Sequence, residues 1–311
     1  MLVAAGEGIV VGHLGWVDRG SLWVLDTASG AAALLELGDY EYLVLVDGER
    51  DWFSVRRQLE SGGWSVSVHH LADPATVIAS ARRDGEEVTL EGPADAWSHV
   101  ARVYAGWDPA EGAYVMLRIE PGGERGDVHP LEWFNRDDYD LGYQSVLTPA
   151  EVPGSDVVVV PVQRSSELVL YDALERAVVR KVMLAGHYGN PTARFRSERE
   201  LWADDYDTLV RVDASDWSVV KAKRLQSVSR GSQRFIGRWD FTSDRTRCIV
   251  ARPFSGDVLV LDTERMRVTH RAKLGRQPLD AAVLSDGRVF ARDWQTGDLV
   301  TGVLSRTRLV H

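Results

Sequence analysis

Three arginines, Arg164, Arg252 and Arg292, each follow a run of apolar residues and open a polar stretch. A guanidinium presents a planar fork of donors that matches a carboxylate or phosphate, so three of them facing one opening would clamp an anionic ligand. Aromatic residues sit in stretches of the same kind: Trp16, Tyr188, Tyr206 and Trp294. Their rings offer flat faces for stacking. Asp18, Asp204, Asp205 and Asp293 add carboxylates beside them. If the chain were an enzyme, proton transfer would fall to Asp138, His187 or Asp204. Arg252 and Arg292 would then hold an anionic group or stabilise an enolate. Each of these residues also has a structural reading, because surface loops are polar and Trp and Asp at sheet edges serve packing and turns.

Other constellations point away from familiar chemistries. Asp137, Asp138 and Asp140 are close together but lack the glycine and terminal glutamate of a calcium loop. His69 and His70 are neighbours on an expected strand, so they face opposite sides and do not chelate one metal together. There is no HExxH, no GxSxG and no Walker loop, and Gly6, Gly8 and Gly12 lack dinucleotide spacing. The lone Cys248 excludes an intramolecular disulfide and a cysteine zinc cluster. It lies in the apolar run 248–251, as a buried strand residue would. Asn135 and Asn190 are the only asparagines, which weakens a metal-lactonase reading built on Asn190 and Asp138. No metal and no cofactor are expected.

The composition is that of an ordinary globular chain: 311 residues, 44% hydrophobic and 26% charged. A net charge of −10 argues against non-specific nucleic-acid binding. Only four of the 36 basic residues are lysines, a bias that fits a GC-rich bacterial genome or anion recognition by arginine. The first residues, MLVAAGEGIVVG, have no basic segment before an apolar one, and no run approaches a membrane helix. The expectation is a cytoplasmic protein, monomeric or weakly homo-oligomeric, with no nucleic-acid and no membrane partner.

The elements that must position these residues are written as a repeat. LWVLDTASGAAALLEL, LVLYDALERAVVRKVML, LVRVDASDWSVVKAKRL and VLVLDTERMRVTHRAKL each read as a strand ending in Asp, a short polar turn and a second strand. The aspartates are Asp26, Asp172, Asp213 and Asp262. An Asp carboxylate at a strand end initiates a turn by accepting N–H groups two residues on. The spacing is 41 residues from Asp172 to Asp213 and 49 from Asp213 to Asp262, a propeller-blade period. Weaker copies fall near Asp73, near Glu120 and at the C-terminal LVTGVLSRTRLV. Two further strands precede each Asp-ending one, joined by turns such as Ser285-Asp286-Gly287. A helical pattern is nowhere sustained; residues 48–62 come nearest to one.

The fold class expected is therefore all-β: a single seven-bladed β-propeller over 1–311 with four antiparallel strands per blade, six or eight blades remaining open. Approximate blades are 1–37, 38–83, 84–133, 134–185, 186–226, 227–274 and 275–311, the first and last meeting to close the ring. The segments GDVLVLDTERMRV, GRQPLDAAVLSDGRVFARD, SLWVLDTASG and ELWADDYDTLVRVDASD resemble the YVTN-type repeat propellers, within the broad lactonase-like and PQQ-like group. The name-giving tetrapeptide is absent, and residues 288–291 and 201–204 stand in its place. The resemblance implies the fold and little about activity. It also implies a ligand face formed by loops between second and third strands and by loops leading into each inner strand. Strand counting puts Trp16, Asp18, Arg164, Asp204, Asp205, Tyr206, Arg252, Arg292, Asp293 and Trp294 in the first kind of loop. Asp138, His187 and Tyr188 fall in the second kind. The function expected is recognition of a small molecule, anionic or aromatic, or of a protein on that face. The alternative is an enzyme at the same face: a lactonase, a lyase or a biosynthetic tailoring enzyme.

Overall fold

Every strand expected from the repeats needs its backbone N–H and C=O groups paired, and antiparallel meanders do this with short connections. The computed structural model describes residues 2–5, 9–14, 20–37, 41–47, 52–58, 64–83, 88–91, 103–108, 113–119, 126–130, 149–162, 165–172, 174–184, 191–225, 235–242 and 244–306. Among them the only helical element is a single 3₁₀ turn, Pro253–Ser255, and no helix is long and apolar enough to cross a membrane. The strands form seven antiparallel sheets.

The first sheet holds Leu2–Ala5, Ile9–Leu14, Gly20–Asp26 and Ala32–Leu37. The second runs Glu41–Asp47, Trp52–Gln58, Trp64–His70, Val77–Arg83 and Val88–Glu91. Residues 48–62, the nearest approach to a helical pattern, thus contain a strand. Val103–Asp108, Ala113–Ile119 and Gly126–Pro130 make the third sheet, and Ala150–Glu151, Val157–Pro161, Glu167–Asp172 and Ala177–Met183 the fourth. The fifth is Ala193–Ser197, Glu200–Asp205, Thr208–Asp213 and Ser218–Arg224. Trp239–Phe241, Arg247–Arg252, Asp257–Asp262 and Arg267–Lys273 form the sixth, extended by Ser305–Arg306; Pro278–Val283, Arg288–Asp293 and Leu299–Val303 form the seventh.

The four repeat aspartates do what their position predicts. Asp26 accepts the N–H of Ala28, Asp172 those of Leu174 and Glu175, Asp213 that of Ser215 and Asp262 that of Arg265, at 2.8–2.9 Å. Four residues after each Asp the chain passes through the left-handed region, at Gly30, Arg176, Trp217 and Met266. Only at Gly30 is that conformation free of a Cβ penalty. The Asp293 turn repeats the device, with Gly297 at φ 74°.

Two compact units are distinguished and are described separately: Met1–Arg57 with Val68–Val77 and Gln226–His311, and Gln58–Ser67 with Ile78–Leu225. In the first, Trp23 of the first sheet packs on Ala282, Leu284 and Phe290 of the seventh. Arg288 also donates to the carbonyl of Thr27, so the opening and closing segments of the chain lie side by side. In the second unit, Val159, Leu168, Leu170, Leu201, Val210 and Val212 share one core across the fourth and fifth sheets. The third strands are buried on both faces, which is why they read as unbroken apolar runs rather than alternating ones.

Candidate functional site

Trp16, Asp18, Asp138, Arg164, His187 and Tyr188 lie outside the described residues. The remaining candidates divide between the two units. Arg252, Arg292, Asp293 and Trp294 belong to the first, and Asp204, Asp205 and Tyr206 to the second. Tyr206 and Trp294 fall in turns between second and third strands, the loops in which strand counting placed the whole set; Asp204, Asp205, Arg252, Arg292 and Asp293 instead lie in the last two residues of second strands, where their backbones are paired in the sheet.

In the first unit, Arg252 ends the strand Arg247–Arg252, and the 3₁₀ turn carries the chain through Phe254 to Asp257. Arg252 and Asp257 are directly opposed in the register. Both are buried, and Arg252 donates from Nε at 2.8 Å and from Nη2 at 2.7 Å to the two carboxylate oxygens. Arg271, half-buried on the next strand, ion-pairs with the same carboxylate. Two guanidiniums therefore share one buried carboxylate. Arg292 has an analogous partner across its own hairpin, with Nη2 donating to Asp280 at 3.0 Å and Nε at 3.4 Å.

The two loops meet through their aromatic residues. Phe254, Trp294 and Phe235 pack edge to face in a closed triangle, with centroids 4.9, 5.4 and 5.5 Å apart. All three rings are half-buried. Such a cluster leaves ring edges and faces open while fixing their orientation. Asp293 secures the second loop. Its carboxylate accepts the N–H groups of Gln295 and Thr296 in its own turn and of Gln277 at the start of the sheet, at 2.9–3.0 Å. Burial pushes this carboxyl upward, but the Thr296, Gln277 and Gln295 amides outweigh it and hold its pKa below the ordinary value.

In the second unit, Asp205-Tyr206-Asp207-Thr208 is a two-residue hairpin with Tyr206 at φ 60°. Asp204 accepts the N–H of Thr192 at 2.8 Å and closes the base of its first hairpin much as Asp293 does for the seventh sheet. Asp205 accepts the hydroxyl of Ser166 from the preceding sheet at 3.1 Å. Asp207 accepts Nε of Arg224 at 2.6 Å. This hairpin is a junction between sheets, held by carboxylates that are already hydrogen-bonded.

Sequence reasoning missed Asp257, Asp280, Arg271 and Phe235. The first two were within reach: once a second strand ends in Arg, the residue opposite it on the neighbouring strand is its natural partner. Phe235 precedes any regular strand and carries no pattern. The neighbouring histidines do diverge as expected. His69 stacks on Phe53 and hydrogen-bonds the Pro74 carbonyl at 2.8 Å, while His70 packs edgewise on Trp52. Cys248 is fully buried. Among the described residues no group of three His, Cys, Asp or Glu side chains is arranged to hold a metal.

No family model matches the chain, and no curated protein matches it. Solved structures do. The β-propeller domain of Cps50 (Swd1) from Myceliophteria thermophila is 12% identical, with a TM-score of 0.61 over 98% of both chains. The WD40 β-propeller domain of Doa1 is 11% identical, with a TM-score of 0.55 over 99% of this chain and 92% of that one. The periplasmic gluconolactonase PpgL of Pseudomonas aeruginosa is 13% identical, with a TM-score of 0.59 over 97% of this chain and 96% of that one. At such identities the likeness shows the fold, a β-propeller, and it spans both WD40 and lactonase-type members.

Proposed function

We propose that this chain is a binding propeller of seven blades, YVTN-like in its repeats. Its recognition site is the patch of Phe235, Phe254 and Trp294, together with Arg252, Arg271 and Arg292. The ligand class is a flat ring bearing a negative group, such as an aromatic carboxylate. The observation that carries the reading is the edge-to-face triangle itself. Two of the three half-buried rings stand on loops that begin beside buried ion pairs, and Phe235 packs against both, so little ordering entropy remains to oppose binding. The guanidiniums of Arg252 and Arg271 beside this patch offer donors that suit an anionic group.

A second reading, an enzyme at the same face, draws support from the gluconolactonase among the similar structures. It has less support from the side chains, since Asp204, the one acid–base candidate among the described residues, serves as a backbone cap.

A thermal-shift screen of aromatic carboxylates against the intact chain tests the first reading, followed by Trp294→Leu and Phe254→Leu. Stabilisation that disappears in both variants, with no consumption of the compound, supports binding at this patch. Stabilisation unchanged in both variants rejects the site. Turnover of an added lactone that Asp204→Asn abolishes favours the enzyme.

A further inference from the structure

All four lysines of the chain stand on fourth strands: Lys181 on Ala177–Met183, Lys221 and Lys223 on Ser218–Arg224, and Lys273 on Arg267–Lys273. The fourth strand is the outer edge of a sheet, where one row of backbone N–H and C=O groups has no neighbour. The second and sixth sheets cover that edge themselves. Val88–Glu91 pairs antiparallel with Val77–Arg83, and Ser305–Arg306 pairs antiparallel with Arg267–Lys273. Among the described residues, no strand pairs with the outer edge of Ala177–Met183 or of Ser218–Arg224.

These two edges share a composition and a degree of exposure. AVVRKVM and SVVKAKR carry five cations and no acid. The first five residues of each strand are exposed on both faces, whereas the covered strand Arg267–Lys273 is mostly half-buried. The valines are the apolar part: Val179 is 58% exposed and Val220 is 50% exposed. Some of the charge is used locally. Arg224 pairs with Asp207, Lys181 lies 4.0 Å from Glu167, and Arg180 donates to the Asp216 carbonyl, linking the two sheets. A charge of either sign would suffice to keep a β-branched edge from aggregating. One sign on both strands, in a chain of net charge −10, does more. It repels a second copy of the same edge and attracts an acidic one, because like charges on paired strands destabilise and opposite charges stabilise.

We propose that the open edges of Ala177–Met183 and Ser218–Arg224 dock an extended acidic segment of a partner protein, which adds as a fifth strand. Backbone pairing supplies the affinity, as it does for the strands the chain already adds to its second and sixth sheets. The cations and exposed valines select alternating acidic and apolar side chains.

The test uses a fluorescent peptide of about six residues, the usual strand length, alternating Glu and Val. Anisotropy is read against the intact chain, and hydrogen exchange locates the contact. The expected result is binding accompanied by slowed exchange within 177–183 and 218–224. Affinity should fall at least about tenfold when Arg180, Lys181, Lys221 and Lys223 are all changed to Glu. A peptide N-methylated on alternate residues should bind at least about tenfold more weakly, because its pairing amides are removed. Equal binding of the methylated peptide would overturn the strand-addition mode. Protection elsewhere, no binding, or self-association of the chain through these strands would overturn the site.

Discussion

Asp257 is the position where the structure makes the sharpest energetic demand. Its carboxylate is fully buried and holds Arg252 through two hydrogen bonds, of 2.8 and 2.7 Å, with Arg271 as a second cation. Asp257→Asn keeps the shape, removes the charge and turns an amide N–H₂ toward guanidinium donors. Breaking a buried pair by removing one partner costs about 3–5 kcal/mol. The lower end applies, because the Arg271 side chain is 28% exposed and can turn to water, while that of Arg252 is only 10% exposed. The expected loss is therefore about 3 kcal/mol, or about 6–12 °C in Tm at the usual 2–4 °C per kcal/mol for larger domains. Urea denaturation followed by tryptophan fluorescence measures it. The looser Asp280–Arg292 pair, at 3.0 and 3.4 Å, should lose less in Asp280→Asn. Removing both partners in Arg252→Met with Asp257→Leu should recover much of the loss, since the two most buried charges leave together and the more exposed Arg271 can turn to water. A loss below about 1 kcal/mol for Asp257→Asn would mean that the pair is screened by water and locks nothing. A double variant less stable than Asp257→Asn would refute the reasoning as well.

Four further outcomes follow from the turns and close contacts. Arg176→Gly should raise stability by about 1 kcal/mol, because an exposed residue with φ 53° sheds its Cβ strain. Trp217→Gly, at the equivalent turn position, should destabilise instead, since it loses the ring packed against Phe195; equal shifts in thermal melts would contradict this. Gly237→Ala should cost about 3 kcal/mol or abolish soluble expression, because an added Cβ overlaps the Leu279 carbonyl oxygen, which belongs to backbone and has no rotamer to yield. The pH profile has a defined sign. Hydrogen bonds lower the carboxyl pKa of Asp26, Asp213, Asp244 and Asp286, and that of Asp293 despite its burial. Groups with depressed folded pKa values contribute stability that is complete above the unfolded value and is lost as pH falls through the folded one. Urea midpoints should hold steady above about pH 4 and decline below it, and a flat profile down to pH 3 would refute the turn-capping role.

What could be read from the sequence, and what could not, divides by the range of the interaction. Asp26, Asp172, Asp213 and Asp262 announce their turns because an Asp carboxylate bonds amides only two or three residues away, and that distance is visible in the chain. The same holds for Ser285-Asp286-Gly287, where Gly287 has φ 86° and Asp286 accepts the Arg288 N–H. The turn position of Tyr206, and the placing of Arg252 and Arg292 at the approach to their turns, followed by counting along strands, although both arginines are still strand residues. The partners of the arginines did not, because Asp257 and Asp280 face them across a hairpin, and only the register says which residues are opposed. Those partners change what the arginines are. Read singly, each is a free fork waiting for an anion; paired with Asp257 and Asp280, in the proposed site they serve instead as a floor that anchors the ring-bearing loops. The proposed site accordingly centres on the rings of Phe254 and of Trp294, which the sequence had already singled out, and gains Phe235 from a segment with no repeat to announce it. The substitution that separates the two views is Arg292→Met, which removes charge but keeps bulk near Trp294. If the arginine is the clamp, an anionic ligand is lost and a neutral ring analogue is unaffected. If it is the floor, both weaken together, because the loop that carries Trp294 loses its anchor.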